Sequence, residues 1–217
     1  MVKVKICGIT NKDEIEYLNI LKPSYAGFVF TKSKRQVNIG EANYLIRLLD
    51  KSIKTVGVFK DNSIDEILEA LMFVPLNIIQ LHGKEDIKFI KELNERTNNV
   101  EIWKALSIND KKIIDEFFIH NSTSLVDMFL IDGDNPGSGE TYPIEKLKEI
   151  LNKYDNIEFF LAGGINSENV KDKILEIKPF GVDVSSGVEE ITREGKRQKS
   201  FEKIDQFIKN VKKAKFW

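Results

Sequence analysis

Eight short apolar segments, each followed by a stretch of helical periodicity, are the feature that most restricts how this chain can fold. The segments are rich in β-branched and aromatic residues and recur about every 25 residues, the size of one βα unit. Several are apolar at consecutive positions, which is typical of parallel strands covered on both faces. The predicted strands are Val2–Ile6, Ala26–Phe30, Thr55–Phe59, Asn77–Leu81, Glu101–Ala105, Met128–Asp132, Glu158–Ala162 and Gly181–Val184.

The stretches between the strands repeat apolar residues at i, i+3 and i+4, which predicts amphipathic helices. A capping box of Ser63 and Glu66 predicts the start of one helix, and Ser167 is predicted to precede a helix that begins near Asn169. The last helix is expected over Ser200–Ala214.

Eight consecutive βα units favour a closed (β/α)8 TIM barrel of the α/β class, with residues 1–217 as a single domain. No linker or change of composition divides the chain. An open doubly wound sheet is the alternative, because periodicity alone cannot reveal closure. In a barrel, the residues that follow the strands meet at one end, so we expect the active site there.

The charge balance and the cysteine count exclude several classes of protein. Lys and Arg total 33 against 34 Asp and Glu, so no overall field attracts nucleic acid, and the basic excess from Arg193 onward is expected to be a solvated helix face. No apolar run reaches the roughly 18 residues of a membrane span. Cys7 has no disulfide partner and no signal peptide precedes it, so we expect a cytoplasmic protein. With one cysteine and two histidines, a Cys-rich or three-histidine metal site is excluded.

Two glycine-containing segments after the last two strands predict a phosphate site. Gly163–Gly164 follows the seventh strand, and Ser185–Gly187 follows the eighth, where a short helix near Ser186 would direct its positive end at an anion. The alternative is that these glycines only form tight βα turns. This location in the barrel favours phosphate binding.

Four other residues at the strand ends carry reactive or charged groups. Cys7 ends the first strand, where a buried cysteine is often only an inert small hydrophobe, and Asp132 ends an apolar strand, where a carboxylate is expected to be capped, paired or catalytic. Arg35 has the forked shape that binds a carboxylate, although it is also compatible with simple solvation. His82 is equally compatible with a ligand contact and with a satisfied loop position.

The order of these motifs resembles the phosphoribosylanthranilate isomerase family of tryptophan biosynthesis along nearly the whole chain. The matching segments are Lys5–Thr10, Gly27–Phe30 with Ser33–Arg35, Val56–Phe59, Gln80–Gly83, Leu130–Asp132, Gly137–Gly139, Leu161–Gly164 and Val182–Glu189. Each motif is weak alone, but their order and positions together are specific.

The resemblance implies an Amadori rearrangement of N-(5-phosphoribosyl)anthranilate to 1-(2-carboxyphenylamino)-1-deoxyribulose 5-phosphate, without cofactor or metal. Asp132 would be the general acid and Cys7 the general base, with Arg35 holding the anthranilate carboxylate. The remaining contacts implied by the resemblance are substrate contacts from Gln80, His82 and Asp183 and a phosphate site of Gly163, Gly164, Ser185, Ser186 and Gly187. The family includes monomers and homodimers, and this sequence is compatible with either.

The chemistry requires a thiolate at Cys7 and a protonated carboxyl at Asp132. We expect Lys5 to point away from Cys7, so the sequence names no group that stabilises the thiolate. Asp134 lies close enough to Asp132 to exchange roles with it if the loop shifts, although the strand end favours Asp132.

Three departures from the family pattern stand near the site. Pro136 replaces a glycine, Tyr142–Ile144 replaces an aromatic-Asp-Trp sequence, and Arg197 stands where aspartate is common. The first two place closure of the loop after the sixth strand in doubt. The third is expected to alter a cap of the last helix, with more effect on stability than on catalysis.

Two alternative functions remain. A related isomerase of histidine biosynthesis performs the same rearrangement, but it resembles a two-fold repeat with an aspartate base and two phosphate sites, whereas this chain has one such site and Cys7. A non-catalytic barrel that binds phosphate ligands is the other alternative, and the presence of both Cys7 and Asp132 argues against it.

Overall fold

The strands of this chain follow the predicted pattern closely. The computed structural model describes residues 1–120, 125–133, 144–154, 157–193 and 195–214, and the side chain of His120 also lies outside the described part. Ten strands occur in these residues: β1 Lys3–Cys7, β2 Tyr25–Val29, β3 Lys54–Phe59, β4 Ile78–Leu81, β5 Glu101–Ser107, β6 Met128–Asp132, β7 Phe159–Ala162, β8 Gly181–Val184, β9 Glu189–Ile191 and β10 Arg197–Lys199.

The first eight strands are parallel and close into a barrel in sequence order, because β8 pairs with both β7 and β1. In the pairing of β1 with β8, Lys5 lies directly opposite Asp183. The predicted TIM barrel is confirmed, and the open-sheet alternative is wrong. The strand bounds shift only slightly, for example at β5, which ends at Ser107 instead of Ala105.

Helices separate successive barrel strands, and a final helix follows β10. The eight described α-helices are α1 Lys12–Leu21, α2 Ile39–Leu48, α3 Ile64–Phe73, α4 Ile87–Arg96, α5 Lys111–His120, α6 Ile144–Lys153, α7 Val170–Ile177 and α8 Phe201–Lys213. The predicted capping box of α3 is confirmed, since the Ser63 hydroxyl accepts from the Glu66 backbone and the Glu66 carboxylate accepts from the Ser63 backbone.

Two cores share the strands, because side chains alternate between the inside of the barrel and the helical layer outside. Tyr25, Trp103 and Phe160 come from strands that are not neighbours, yet their rings meet with centroids 4.7 to 5.4 Å apart. Only inward-facing residues can make such contacts, so these rings fill the barrel interior. Ile6 belongs instead to the outer core, which places Lys5 and Cys7 on the inner face.

The expectations for the helix ends and the basic segment were only partly right. α7 begins at Val170, near the predicted Asn169, but its N-cap residue is Asn169 and not Ser167. Ser200 precedes α8, whereas Arg197 lies in β10 opposite Ile191 and therefore cannot cap that helix. Lys209, Lys212 and Lys213 form an exposed basic face of α8, as predicted, but Lys199 is buried in β10, which forms an antiparallel hairpin with β9.

The helices are short in relation to a lipid bilayer. In the part of the chain that the structure describes, none has the length and apolar character required to span a membrane.

Candidate active site

The carboxyl ends of the barrel strands surround an open cavity of about 570 Å³. Ten of the eleven site residues predicted from the sequence line it: Cys7, Arg35, Gln80, His82, Asp132, Gly163, Gly164, Asp183, Ser185 and Ser186. These residues come from β1, β4, β6, β8 and the loops after β2, β4, β7 and β8, so closure of the barrel is what brings them together. Gly187 does not line the cavity.

Cys7 ends β1 with its side chain turned inward and almost completely buried. Burial raises the pKa of its thiol, because the thiolate loses solvation, and the nearby charges of Lys5 and Lys199 offset this rise only in part, so the net shift is upward. The Cys7 carbonyl accepts a hydrogen bond of 2.9 Å from the Ser185 hydroxyl, which joins the end of β1 to the loop after β8.

Lys5 does not point away from Cys7, as the sequence reading expected. Residues two apart in a strand share a face, so an inward Cys7 requires an inward Lys5. The Lys5 ammonium is fully buried inside the barrel and lies 3.0 Å from the Asp183 carboxylate of β8. Burial by itself lowers the pKa of Lys5, but Asp183 and Cys7 together raise it by more. The net shift is therefore upward, and the ammonium stays charged.

Asp132 faces the cavity from the end of β6, with His82 as a neighbour. His82 Nε2 lies 3.5 Å from one Asp132 carboxylate oxygen, and His82 Nδ1 lies 3.1 Å from the Gln80 side-chain amide nitrogen. An amide N–H that donates to Nδ1 leaves the imidazole proton on Nε2, facing Asp132. The Gln80 carbonyl oxygen Oε1 is buried and has no hydrogen-bond partner among the described residues.

Arg35 projects into the cavity from the loop after β2 and is held by Glu189 of β9. Its Nε and Nη2 donate to the two Glu189 carboxylate oxygens at 2.5 and 2.8 Å. This bidentate pair uses one edge of the guanidinium and leaves the Nη1–Nη2 edge for a second acceptor. Burial of Glu189 would raise its pKa, but hydrogen bonds and charge from Arg35 and Lys199 lower it to about 2.

The loops after β7 and β8 meet beside Asp132 and Cys7, and two glycines permit that approach. Gly163 has a φ of +86°, and a β-carbon there would lie 2.5 Å from the Asp132 carboxylate. A β-carbon on Gly187 would lie 2.0 Å from the Ile165 carbonyl oxygen. Gly187 therefore brings the two loops together but does not itself face the cavity.

Sequence reasoning missed four charged residues of this region: Lys5, Glu189, Arg197 and Lys199. Strand alternation, correctly applied, would have placed Lys5 beside Cys7. Lys199 supports the loop after β8 from behind by donating to the Ser185 carbonyl and hydroxyl at 3.1 and 3.2 Å. Arg197 lines the cavity and lies 3.5 Å from Glu189.

Several expectations concern residues outside the described part of the chain. Asp134, Pro136, the Gly137–Gly139 motif and Tyr142–Pro143 fall within 134–143. Among the described residues, no group of three or more His, Cys, Asp or Glu side chains is placed to hold a metal ion.

The sequence of this chain is similar to known proteins along nearly its whole length. The sequence model described as N-(5'phosphoribosyl)anthranilate (PRA) isomerase matches residues 4–210. N-(5'-phosphoribosyl)anthranilate isomerase from Clostridium beijerinckii is 56% identical, with 98% of each sequence aligned.

Two solved structures have the same fold. The structure of monomers generated from a dimeric phosphoribosylanthranilate isomerase of Thermotoga maritima is 33% identical, with a TM-score of 0.80 over 98% of this chain and 100% of that one. A phosphoribosylanthranilate isomerase in complex with reduced 1-(o-carboxyphenylamino)-1-deoxyribulose 5-phosphate is 31% identical, with the same TM-score and coverage. The family model, the sequence identity and the barrel agree, and the chain belongs to the N-(5'-phosphoribosyl)anthranilate isomerase family.

Proposed function

We propose that this chain rearranges N-(5-phosphoribosyl)anthranilate to 1-(2-carboxyphenylamino)-1-deoxyribulose 5-phosphate in tryptophan biosynthesis, with Asp132 as general acid and Cys7 as general base. The observation that carries this assignment is that both side chains line one cavity at the carboxyl ends of β6 and β1. That placement supplies a proton donor and a proton acceptor to one bound substrate.

Ring opening is the first step and uses Asp132. A protonated Asp132 gives its proton to the ribose ring oxygen while the bond from that oxygen to C1′ breaks, and the anilino nitrogen supplies the electron pair that forms a protonated Schiff base. His82 Nε2 lies 3.5 Å from one carboxyl oxygen and is placed to orient the group. The other oxygen faces Gly163 and the loop after β7.

Proton abstraction from C2′ is the second step and uses the Cys7 thiolate. The electrons of the C2′–H bond form a C1′–C2′ double bond, and the protonated Schiff base becomes a neutral enolamine. Tautomerisation removes the proton from the 2′-hydroxyl and adds one to C1′, which gives the ketone. Atoms and charge balance without a redox partner.

The loops after β7 and β8 are the proposed phosphate site. Gly163, Gly164, Ser185 and Ser186 line the cavity together, and backbone N–H groups of such loops bind phosphate well. Gly187 contributes by holding the loops close to each other. Lys199 adds a cation behind Ser185.

Arg35 is the proposed site for the anthranilate carboxylate. Because Glu189 holds the Nε edge, the remaining edge is presented to the cavity in a fixed orientation. This arrangement suits a second, planar carboxylate. Gln80 and Asp183 are proposed to accept hydrogen bonds from the substrate, Gln80 through its buried Oε1 and Asp183 through the carboxylate that also holds Lys5.

We further propose that residues 1–217 form one domain and that the protein acts in the cytoplasm as a monomer or homodimer, without nucleic acid. The near balance of charge and the match of the family model to residues 4–210 support these proposals.

The test is an assay of the purified protein with N-(5-phosphoribosyl)anthranilate beside the phosphoribosyl intermediate of histidine biosynthesis. We expect turnover of the first substrate, and growth without tryptophan when the gene is placed in a strain that lacks the isomerase. Turnover of only the histidine intermediate, or of neither, would contradict the proposal.

A further inference from the structure

A buried ion pair inside the barrel is not explained by the two proton transfers. Lys5 and Asp183 lie opposite each other on β1 and β8, with 3.0 Å between Nζ and Oδ1, and the Lys5 side chain has no solvent exposure. Asp183 lines the cavity, and Tyr25, one of the rings that fill the barrel interior, lies opposite Lys5 on β2.

The buried Lys5–Asp183 ion pair is not expected to contribute much to the stability of the fold. Taking an ammonium and a carboxylate out of water costs about as much as their attraction returns, so an apolar pair of similar size is often equally stable or more so. Here the apolar alternative is present in the same barrel, on the neighbouring inward positions of β2, β5 and β7. The pair is therefore better explained by what lies beside it, and Cys7 follows Lys5 on the same inward face.

We propose that Lys5 is a positioning residue: clamped by Asp183, it presents its ammonium to the Cys7 sulfur and so favours formation of the thiolate that the reaction needs. The proposal rests on the assignment of Cys7 as the general base. Lys5 is then the group that stabilises the Cys7 thiolate, which could not be identified from the sequence.

The charges that face Cys7 come from four elements. They are Lys5 from β1, Asp183 from β8, Lys199 from β10 and Arg35 from the loop after β2. Burial leaves the pKa of the Cys7 thiol above its ordinary value, and Lys5 opposes that rise more strongly than any of the other charges, whereas Asp183 adds to it. Loss of Lys5 should therefore move thiolate formation to higher pH, and loss of the pair should do so by less.

The single cysteine allows this effect to be measured directly. The pH dependence of iodoacetamide reaction with the folded protein, followed by mass spectrometry, reports the Cys7 thiolate alone, because no other thiol exists. For Lys5→Met, we expect the thiolate fraction at neutral pH to fall about tenfold. Lys5→Arg keeps the charge and should restore most of it.

Two further variants guard against a merely structural effect. Lys5→Met leaves Asp183 unpaired, so Lys5→Met with Asp183→Asn removes both charges and keeps the test possible if the single variant does not fold. Lys104→Met is the matched control, because Lys104 is equally buried and lies 2.9 Å from the Glu85 carboxylate, but it contacts the loops outside the barrel. Lys104→Met should leave the alkylation profile unchanged.

The proposal is overturned if the pH dependence of Cys7 alkylation is unchanged in both Lys5→Met and the double variant with Asp183→Asn. It is also overturned if Lys104→Met shifts that pH dependence as far as Lys5→Met does. The low-pH limb of kcat/KM separates this outcome from failure of the proposed function. If alkylation shifts with Lys5→Met, Lys5 governs the thiolate, whatever the activity. If the kcat/KM limb does not shift with it, Cys7 is not the base.

Discussion

The two sides of the cavity differ sharply in charge. Around Cys7, five ionised side chains lie in or behind the wall: Lys5, Asp183, Arg35, Glu189 and Lys199. On the other side, the His82 imidazole lies 3.5 Å from the Asp132 carboxylate, and the Gln80 amide contacts that imidazole.

This contrast suits the two proton transfers that the reaction requires. A thiolate at Cys7 is an anion in a buried position, and only nearby cations can offset its lost solvation. A general acid must instead hold its proton until the ring oxygen takes it, and a cation beside it would promote early ionisation. One barrel can thus support a base and an acid at once, because the ion pairs that surround Cys7 are formed by residues of β1, β8, β9, β10 and the loop after β2.

Removing one catalytic group from each side should have the largest effect on turnover. We expect Cys7→Ala and Asp132→Asn each to lower kcat about 10²- to 10⁴-fold, because each deletes a proton transfer. Binding of inorganic phosphate should persist in both, since the loops after β7 and β8 are untouched. Steady-state kinetics and phosphate titration measure the two properties, and full activity in either variant would refute the assignment.

A smaller effect is expected from the carboxylate site on the charged side. Arg35→Ala should raise KM about ten- to a hundredfold, the value of a charged hydrogen-bonded contact, with less change in kcat. Glu189→Gln keeps Arg35 but loosens its orientation, so we expect a KM increase of about tenfold.

Glu190→Gln is the matched control for that experiment, because Glu190 lies on the same strand but pairs with Gln198 of β10. Its kinetics should equal those of the wild type. An unchanged affinity of the Arg35→Ala protein for the reduced product analogue would remove Arg35 from the carboxylate site.

How far the sequence could predict this site depends on how far apart the interacting residues lie. Cys7 and Asp132 were found because each ends a recognisable strand, and the barrel defines where strand ends meet. The contact of Arg35 with Glu189 spans 154 residues and depends on the β9–β10 hairpin, whose strands are only three residues long. Such short strands carry too little periodicity for detection.

Lys199 illustrates a second limit. A lysine in a basic, Gly-containing segment has the composition of an exposed surface, and only the position of Ser185 and Glu189 around it turns it into a buried cation. Burial of this kind follows from tertiary contacts and not from local sequence. By contrast, the eight barrel strands and the starts of α3 and α8 follow from local patterns and were predicted correctly.

On the other side of the cavity, His82 offers a more moderate test. We expect His82→Gln to lower kcat about tenfold, the value of one polar contact to an ionisable group, because the carboxyl of Asp132 loses the imidazole that lies 3.5 Å from it. The kinetics of the Asp132→Asn and His82→Gln double variant test whether His82 acts through Asp132. If His82 acts through Asp132, the double variant should be no slower than Asp132→Asn alone.

The smallest expected effect concerns Arg197, which belongs to the charged side but is half-exposed. Its guanidinium lies 3.5 Å from Glu189 at the cavity rim, so water and salt screen it far more than they screen Arg35. Arg197→Gln should therefore raise KM no more than about threefold at low salt, with a free energy of unfolding within about 0.5 kcal/mol of the wild type. The KM difference should vanish at high salt, whereas that of Arg35→Ala should persist. A salt-independent loss in Arg197→Gln would mean that its guanidinium binds the substrate directly, which would extend the charged side of the cavity to the rim.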